Sequence, residues 1–191
     1  MRARTQKSVE RQERAEQIIG RARTIAEAEG WGAVTTRRLA DEIGRSQPVL
    51  YGHFEDGKTG IVRAVALRGF VDLGVSIRQA LGKTREDERV LAVVTAYLDF
   101  ARHHPAVYEA MFSMPLGLSF GERTAPPELR ESFIALSDGL ASTKKLGDSD
   151  QETRTEVAWS AMHGLITLSR DGRLRPRARA ARIAALVALL T

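Results

Sequence analysis

Apolar residues recur along this chain at spacings of three and four, and no stretch convincingly alternates with the period of two that a half-buried strand requires. The first such segment carries Ala15, Ile18, Ile19, Ala22, Ile25 and Ala26 with Glu and Arg between them. It predicts one amphipathic helix from about Val9 to Glu29, capped by Gly30. Thr35 or Thr36 can cap a second, short helix whose inward residues are Leu39, Ala40 and Ile43, and Gly44 ends it after barely two turns. A third start follows at once. Ser46 is a good N-cap, Pro48 stands in the first turn where its missing N–H has no partner to lose, and Leu50 and Phe54 then point inward. From Thr59 to about Leu81, the residues Ile61, Val62, Val65, Ala66, Phe70, Leu73 and Ile77 keep helical spacing in one long helix that could join two domains.

After a charged break from Lys83 to Glu88, Leu91, Val94, Leu98 and Ala101 mark a helix from Arg89 to His103, which Pro105 stops before starting the next short one. Met114 to Pro127 reads as a loop. Further helices are expected from about Glu128 to Lys145, Ser149 to Arg170 and Pro176 to the end, punctuated by Gly147, Gly172 and Pro176. The pattern predicts an all-α protein of about nine helices.

At 191 residues, with 43% hydrophobic and 28% charged, the chain suits one large domain or two small ones. It holds no cysteine, which excludes a disulfide framework, a thiolate zinc site, an iron–sulfur cluster and a cysteine nucleophile, and suits a reducing cytoplasm. No apolar run approaches the roughly 18 residues of a membrane span, and Met1-Arg2-Ala3-Arg4 leads into polar sequence rather than a secretory apolar region. The expectation is a cytoplasmic protein without a membrane partner. Lys and Arg exceed Asp and Glu by 29 to 24, a net charge of +5. Most of the excess lies in an arm, Arg2, Arg4 and Lys7, and in the run Arg170, Arg173, Arg175, Arg177, Arg179 and Arg182. Such segments serve either as solvated surface or as attractors of a polyanion.

The first three predicted helices have helix-turn-helix spacing. Leu39 and Ala40 lie on one helix, Gly44 in the turn and Leu50 on the next; Ala40 must be small where the second helix crosses it, and Gly44 suits the steep turn. The helix after the turn would then lie in a major groove. The run Thr35-Thr36-Arg37-Arg38-Leu39-Ala40-Asp41-Glu42-Ile43-Gly44-Arg45-Ser46-Gln47-Pro48-Val49-Leu50-Tyr51-Gly52-His53-Phe54, with Lys58 beyond it, strongly resembles the N-terminal domain of TetR-family transcriptional repressors. The resemblance is close over about residues 10 to 70. It implies a DNA-binding domain over residues 1–58, with a basic arm at 1–9, and a ligand-binding and dimerisation domain over 59–191. Two later segments, Ala101-Arg102-His103-His104-Pro105-Ala106-Val107-Tyr108 and Trp159-Ser160-Ala161-Met162-His163-Gly164, resemble the subgroup of that family whose C-terminal domain takes its name from Trp, His and Gly.

What the resemblance implies agrees with the chemistry of these side chains. Gln47 can bond two edge atoms of an adenine, while Pro48 and Val49 offer apolar contact to a thymine methyl. Tyr51, His53, Lys58, Thr36 and Arg37 match the family's phosphate-contacting positions, which set register, and Arg45 and Ser46 complete the DNA-facing set. The chain departs from the family pattern in having three residues, Glu55-Asp56-Gly57, between Phe54 and Lys58 where two are usual, which leaves the position of Lys58 open. The implied function is a repressor that binds a palindromic operator as a homodimer and is released by a small molecule, with no enzymatic activity and no cofactor.

For the effector, an aromatic and Met set stands out: Phe100, His103, Tyr108, Met111, Phe112, Phe133, Trp159, Met162 and His163. The same spacing serves plain core, and the resemblance is what points to a pocket for an apolar or aromatic ligand. Trp159 and His163 fall on one helix face, where the imidazole can serve a ligand carbonyl or a buried backbone oxygen. Val157, Ala161, Leu165 and Leu168 on one helix, with Ile183, Leu186, Val187 and Leu190 on the last, offer two apolar faces. In the family such helices form a four-helix dimer interface.

Other patterns match by letter. Gly52 to Thr59 fits the phosphate-loop expression, with Val93 to Asp99 as a strand ending in a magnesium-binding Asp, so a nucleotide-binding enzyme is the alternative reading. Against it, only Val49-Leu50-Tyr51 precedes the loop where a buried strand is needed, and Glu55 and Asp56 would line a polyphosphate cradle. Gly117-Leu118-Ser119-Phe120-Gly121 spells a nucleophile elbow with His163 later in the chain, yet it lies in a loop between helices. His103-His104 lacks the spacing of a zinc helix, and no metal site is expected. The apolar stretch Ile183 to Leu190 after the arginines could suggest an amphipathic anchor but is better used for packing.

Overall fold

Nothing between Arg2 and Ser8 breaks a helix. In the computed structural model, which describes residues 2–119, 124–141 and 148–191, helix α1 accordingly runs over Arg2–Glu29. The expected basic arm is therefore a continuation of α1 rather than a separate tail, and the expected start at Val9 is corrected. The helix ends where Gly30 turns the chain at φ 81°. After a single 3-10 turn, Trp31–Ala33, come α2 (Thr36–Glu42) and α3 (Gln47–His53). The Thr35 hydroxyl caps α2 by accepting from the Arg38 N–H at 3.1 Å. Ser46 occupies the N-cap position of α3 but its side chain makes no capping bond there. Helix α4 spans Lys58–Leu81, followed by α5 (Arg89–His103), α6 (Pro105–Phe112), α7 (Pro127–Leu140), α8 (Asp148–Arg170) and α9 (Arg179–Leu190). The expected end of α7 at Lys145 lies outside the described residues, and the short turn Pro176–Ala178 delays the last helix to Arg179. Among the described residues the structure is all-helical, with these nine helices and no strand.

The chain forms two compact units, Met1–Gly69 with His104–Ser119, and Phe70–His103 with Phe120–Thr191. The division between units falls inside α4, and α6, which packs on α1, belongs to the first unit although it follows α5 in sequence. In that unit Ile18, Ala22, Ile25, Leu39, Leu50 and Ile61 are buried together with Val34 and Val65. Polar bonds fasten α6 to α1. Pro105 leaves its first turn without one donor, and the Glu27 carboxylate accepts from the next two, Ala106 and Val107, at 3.1 Å each. The buried Trp31 indole donates to the Ala106 carbonyl at 2.8 Å. Gly69 lets α4 approach: a Cβ there would meet Val107 at 2.5 Å and Met111 at 2.7 Å.

The second unit is built around α5, against which α7, α8 and α9 all pack. Val93, Val94, Tyr97, Leu129, Leu136 and Met162 are buried in it with Phe70 and Ile77. The buried Thr155 hydroxyl donates to the Gln151 carbonyl at 2.8 Å, the Arg154 guanidinium donates to the carbonyl of Leu190, and Arg179 donates to Asp99 at 2.7 Å.

Candidate nucleic-acid interface

The helix-turn-helix takes its shape from three buried residues and one glycine. Leu39 and Ala40 of α2 and Leu50 of α3 are buried, and Gly44 turns the chain between them at φ 64°, a left-handed conformation that side chains resist. With Leu50 turned inward, helical geometry carries Pro48 and Tyr51 off its face, and Gln47, on the Leu50 side, is outside because it stands at the open first position of α3. All three are exposed, Tyr51 at 46% of its surface, while Val49 is half-buried. The Thr36 hydroxyl donates to the Gln47 amide oxygen at 3.4 Å, so the first turns of α2 and α3 present one polar edge.

Charge is sorted around this edge. Arg38 is held by Glu29 at 2.5 Å and Glu42 at 3.1 Å, and Arg21 also meets Glu42 at 3.3 Å. These bonds lower the Glu29 carboxyl below its ordinary range and raise Arg38 above its own. Glu29 and Glu42 are thereby paired, while Asp41 of α2 is exposed and in none of these pairs. Arg37 and Arg45 are exposed and make no side-chain ion pair or hydrogen bond among the described residues, which leaves both guanidinium groups available to a phosphate. At the far end of α3, Arg11 of α1 donates to the Gly52 carbonyl at 3.0 Å. Burial first, then the nearby Arg11 and Arg14, push the His53 imidazole below its ordinary range.

The linker that departs from the family pattern has its own geometry. Gly57 is buried at φ 54°, and a Cβ there would sit 3.1 Å from the Tyr51 ring. The extra residue thus closes a turn beneath the aromatic ring. Lys58 opens α4, half-buried, with its ammonium donating to the Trp31 carbonyl at 2.6 Å. Of the expected DNA-facing residues, the structure brings Thr36, Arg37, Arg45, Ser46, Gln47, Pro48, Val49 and Tyr51 onto α2, α3 and their turn, with His53 at the end of α3. It places Lys58 against the 3-10 turn. Sequence reasoning missed Arg11 and Arg14, whose neighbours on α3 are some forty positions away in the chain.

The expected effector residues divide between the units. Tyr108, Met111 and Phe112 lie on α6 in the first, the two rings 4.6 Å apart between centroids, with Tyr108 and Met111 buried. Phe100, His103, Phe133, Trp159, Met162 and His163 lie in the second. There Phe100 and Met162 are buried, His103 is exposed on α5, and the Trp159 indole donates to the Tyr97 hydroxyl at 2.8 Å, a partner that sequence reasoning missed. His163 is half-buried 3.5 Å from the Thr167 hydroxyl, and burial, then Arg170, hold its imidazole below the ordinary range. Of the expected dimer residues, Val157 and Leu168 are exposed and Ala161, Leu165 and Val187 half-buried. Ile183, Leu186 and Leu190 are buried within their own unit, because α9 packs them on α5. Leu189, which was not foreseen, is 82% exposed.

The phosphate-loop reading fails on geometry. Val49, Leu50 and Tyr51 are part of α3, where that loop needs a strand. The serine-elbow letters lie partly outside the described residues, and Gly117 to Ser119 follow no strand. Among the described residues no three His, Asp or Glu gather as a metal group, and no helix is long and apolar enough to cross a membrane.

Comparison with known proteins agrees with this architecture. Residues 18–65 match the family described as bacterial regulatory proteins, tetR family, and residues 90–190 match the tetracyclin repressor-like C-terminal domain. The chain is 33% identical over 157 residues to the uncharacterized HTH-type transcriptional regulator Rv0681 of Mycobacterium tuberculosis, covering 82% of this chain and 70% of that one. It is 35% identical over 103 residues to the HTH-type transcriptional activator FasR of Mycolicibacterium smegmatis, covering 53% of this chain but only 47% of the relative's length. A solved structure of a protein of unknown function from Rhodococcus sp. RHA1 shares the fold with a TM-score of 0.74 at 22% identity, over 92% of each chain.

Proposed function

Because this chain belongs to the TetR family of bacterial helix-turn-helix transcriptional regulators, and is not an enzyme, we propose that it acts as a repressor. In this reading it binds a palindromic operator as a homodimer and lets go when a small apolar or aromatic molecule occupies its C-terminal part. The observation that carries the proposal is the exposed edge of α3, where Gln47, Pro48 and Tyr51 stand beside the unpaired Arg37 and Arg45. Gln47 reads an adenine edge and the arginines bind flanking phosphates, with Ser46, Val49 and Tyr51 completing the contact. Residues 1–58 do the reading, residues 59–191 bind the effector and the second copy, and the work is done in the cytoplasm. The grouping of Trp159, His163 and Gly164 supports the Trp-His-Gly subgroup for the C-terminal domain.

For release, the effector must bind the conformation that does not fit DNA more tightly than the one that does. In the first unit the Glu27 and Trp31 bonds tie α6 to α1, and the close approach at Gly69 ties α6 to α4. A displacement of α6 is therefore transmitted to the helices that carry the interface. A second reading, activation, is favoured by the printed name of FasR, to which about half of this chain is similar.

The test is selection of random duplex DNA on the purified protein at about 0.15 M salt, where nonspecific phosphate attraction is already weakened. Enrichment of one inverted repeat is the expected result. A flat outcome with and without candidate effectors refutes operator binding. Placing the selected repeat before a reporter gene then separates repression from activation.

A further inference from the structure

Lys58 is the first residue of α4, and a cation there is unfavourable for its own helix, because the unsatisfied N–H groups of the first turn make that end positive. No carboxylate among the described residues compensates it. The preceding Asp56 is paired with Arg63 at 3.1 Å, Glu55 is exposed, and Lys58 itself is in no ion pair. Its ammonium reaches instead across 27 positions to the Trp31 carbonyl at 2.6 Å, a short charge-assisted bond. That acceptor is fixed in place: Trp31 is buried, and its indole donates to the Ala106 carbonyl of α6 at 2.8 Å.

On its other side Lys58 follows Gly57, whose left-handed turn lies against the Tyr51 ring, where a Cβ would stand 3.1 Å from it. Arg11 of α1 holds the far end of the same segment through the Gly52 carbonyl at 3.0 Å. Two cations thus pin the chain between Gly52 and Lys58 by backbone carbonyls, and the three-residue linker Glu55-Asp56-Gly57 lies between the two bonds. A lysine gives up the rotamer freedom of a four-carbon stem to hold one geometry, and here the fold itself offsets that loss before any phosphate arrives. We propose that Lys58 is a positioning residue rather than a phosphate contact: it braces the turn under Tyr51 against Trp31 and so sets how α3 meets DNA. This differs from the phosphate-contacting role that the family resemblance implies for the lysine. The inference rests on DNA binding through α3, and its test therefore has one arm without DNA.

Acetic anhydride labelling of the unmodified full chain, read residue by residue by mass spectrometry, is that arm. Lys83, exposed and without a side-chain partner among the described residues, is the reference. Lys58 is expected to be acetylated several-fold more slowly than Lys83 in the free chain, and a saturating duplex to leave its rate unchanged. The second arm measures binding of the selected inverted repeat by fluorescence anisotropy over a range of salt. Arg37→Gln, which removes a proposed phosphate contact, should lower the slope of log affinity against log salt by about one, whereas Lys58→Met should weaken binding by about tenfold at an unchanged slope. Tyr51→Phe should then cost less affinity in K58M than in the wild type, since the brace acts through that ring; a role in folding alone lowers Tm and leaves the Tyr51 cost as it was. Circular dichroism establishes that the variants are folded, and if K58M is not, the labelling decides. Equal labelling of Lys58 and Lys83 in the free chain, protection of Lys58 that appears only with the duplex, a slope lowered by about one in K58M, or an unchanged Tyr51 cost overturns the proposal. Failure of the wild type to bind any duplex refutes operator binding and with it the role at DNA, while slow labelling in the free chain still establishes the bond to Trp31.

Discussion

Gln47 is exposed at the first position of α3, held among the described residues only by a long bond from Thr36, and can turn toward a base edge. Gln47→Ala should therefore relax preference at one base pair per half-site, by about 1–3 kcal/mol of discrimination, while leaving other positions unchanged. Tyr51→Phe removes one hydroxyl and should weaken all duplexes alike. Competition binding with operator variants checks both; unchanged affinity and specificity in the two variants moves the reading helix elsewhere. His53 adds a pH signature. Its imidazole is held below the ordinary range, so the folded chain binds the proton less well than the unfolded one. Acidification through that range costs folding stability, which returns as pH rises above the ordinary imidazole value. A phosphate beside the ring acts in the opposite sense. DNA affinity is expected to rise from about pH 7.5 to about pH 5.5, and His53→Gln to flatten that rise, as read by fluorescence anisotropy at fixed salt.

At the scale of elements, two junctions position the interface. Gly57 holds a left-handed turn beneath Tyr51 between α3 and α4. Gly57→Ala should cost about 1–2 kcal/mol from the backbone alone and disturb the Tyr51 ring, lowering Tm and DNA affinity together. The N-terminus of α6 is capped from α1 by Glu27, which serves two N–H groups that Pro105 and His104 leave unsatisfied. Glu27→Ala should cost about 0.5–2 kcal/mol by thermal or urea unfolding. If α6 carries the effector signal, the same change also alters release by ligand more than it alters operator affinity. The helices themselves were readable because a 3.6-residue period needs only local sequence, and the pair Thr35 and Thr36 announced a cap that Thr35 supplies. The start of α1 was not, since Arg2 to Ser8 contain no residue that forbids or requires a helix.

For the whole molecule, the dimer reading depends on apolar groups that the chain's own core does not use. Val157 and Leu189 are the most exposed of these, at 62% and 82%. Val157→Glu with Leu189→Glu should shift the protein from dimer to monomer in sedimentation at micromolar concentration and abolish binding to a palindrome, with Tm nearly unchanged. Ile183, Leu186 and Leu190 were expected at the same interface. They are buried within their own unit, where α9 packs on α5, so their truncation should also act on folding. A sequence shows that a helix has an apolar stripe, but not whether its own chain or a second copy covers that stripe.

Periodicity and punctuation were enough by themselves for an all-helical chain and for helix-turn-helix spacing near its start, because each depends on residues a few positions apart. The proposed DNA-facing residues of α3 came instead from the resemblance of the run Thr35 to Phe54 to the TetR family. The tertiary structure alone decided which distant residues meet. Arg11 reaches Gly52 across 41 positions, Glu27 reaches Ala106 across 79, and Arg179 reaches Asp99 across 80. No local pattern encodes such pairs, since they exist only after burial of Ile18, Leu39, Tyr97 and their neighbours has brought the helices together.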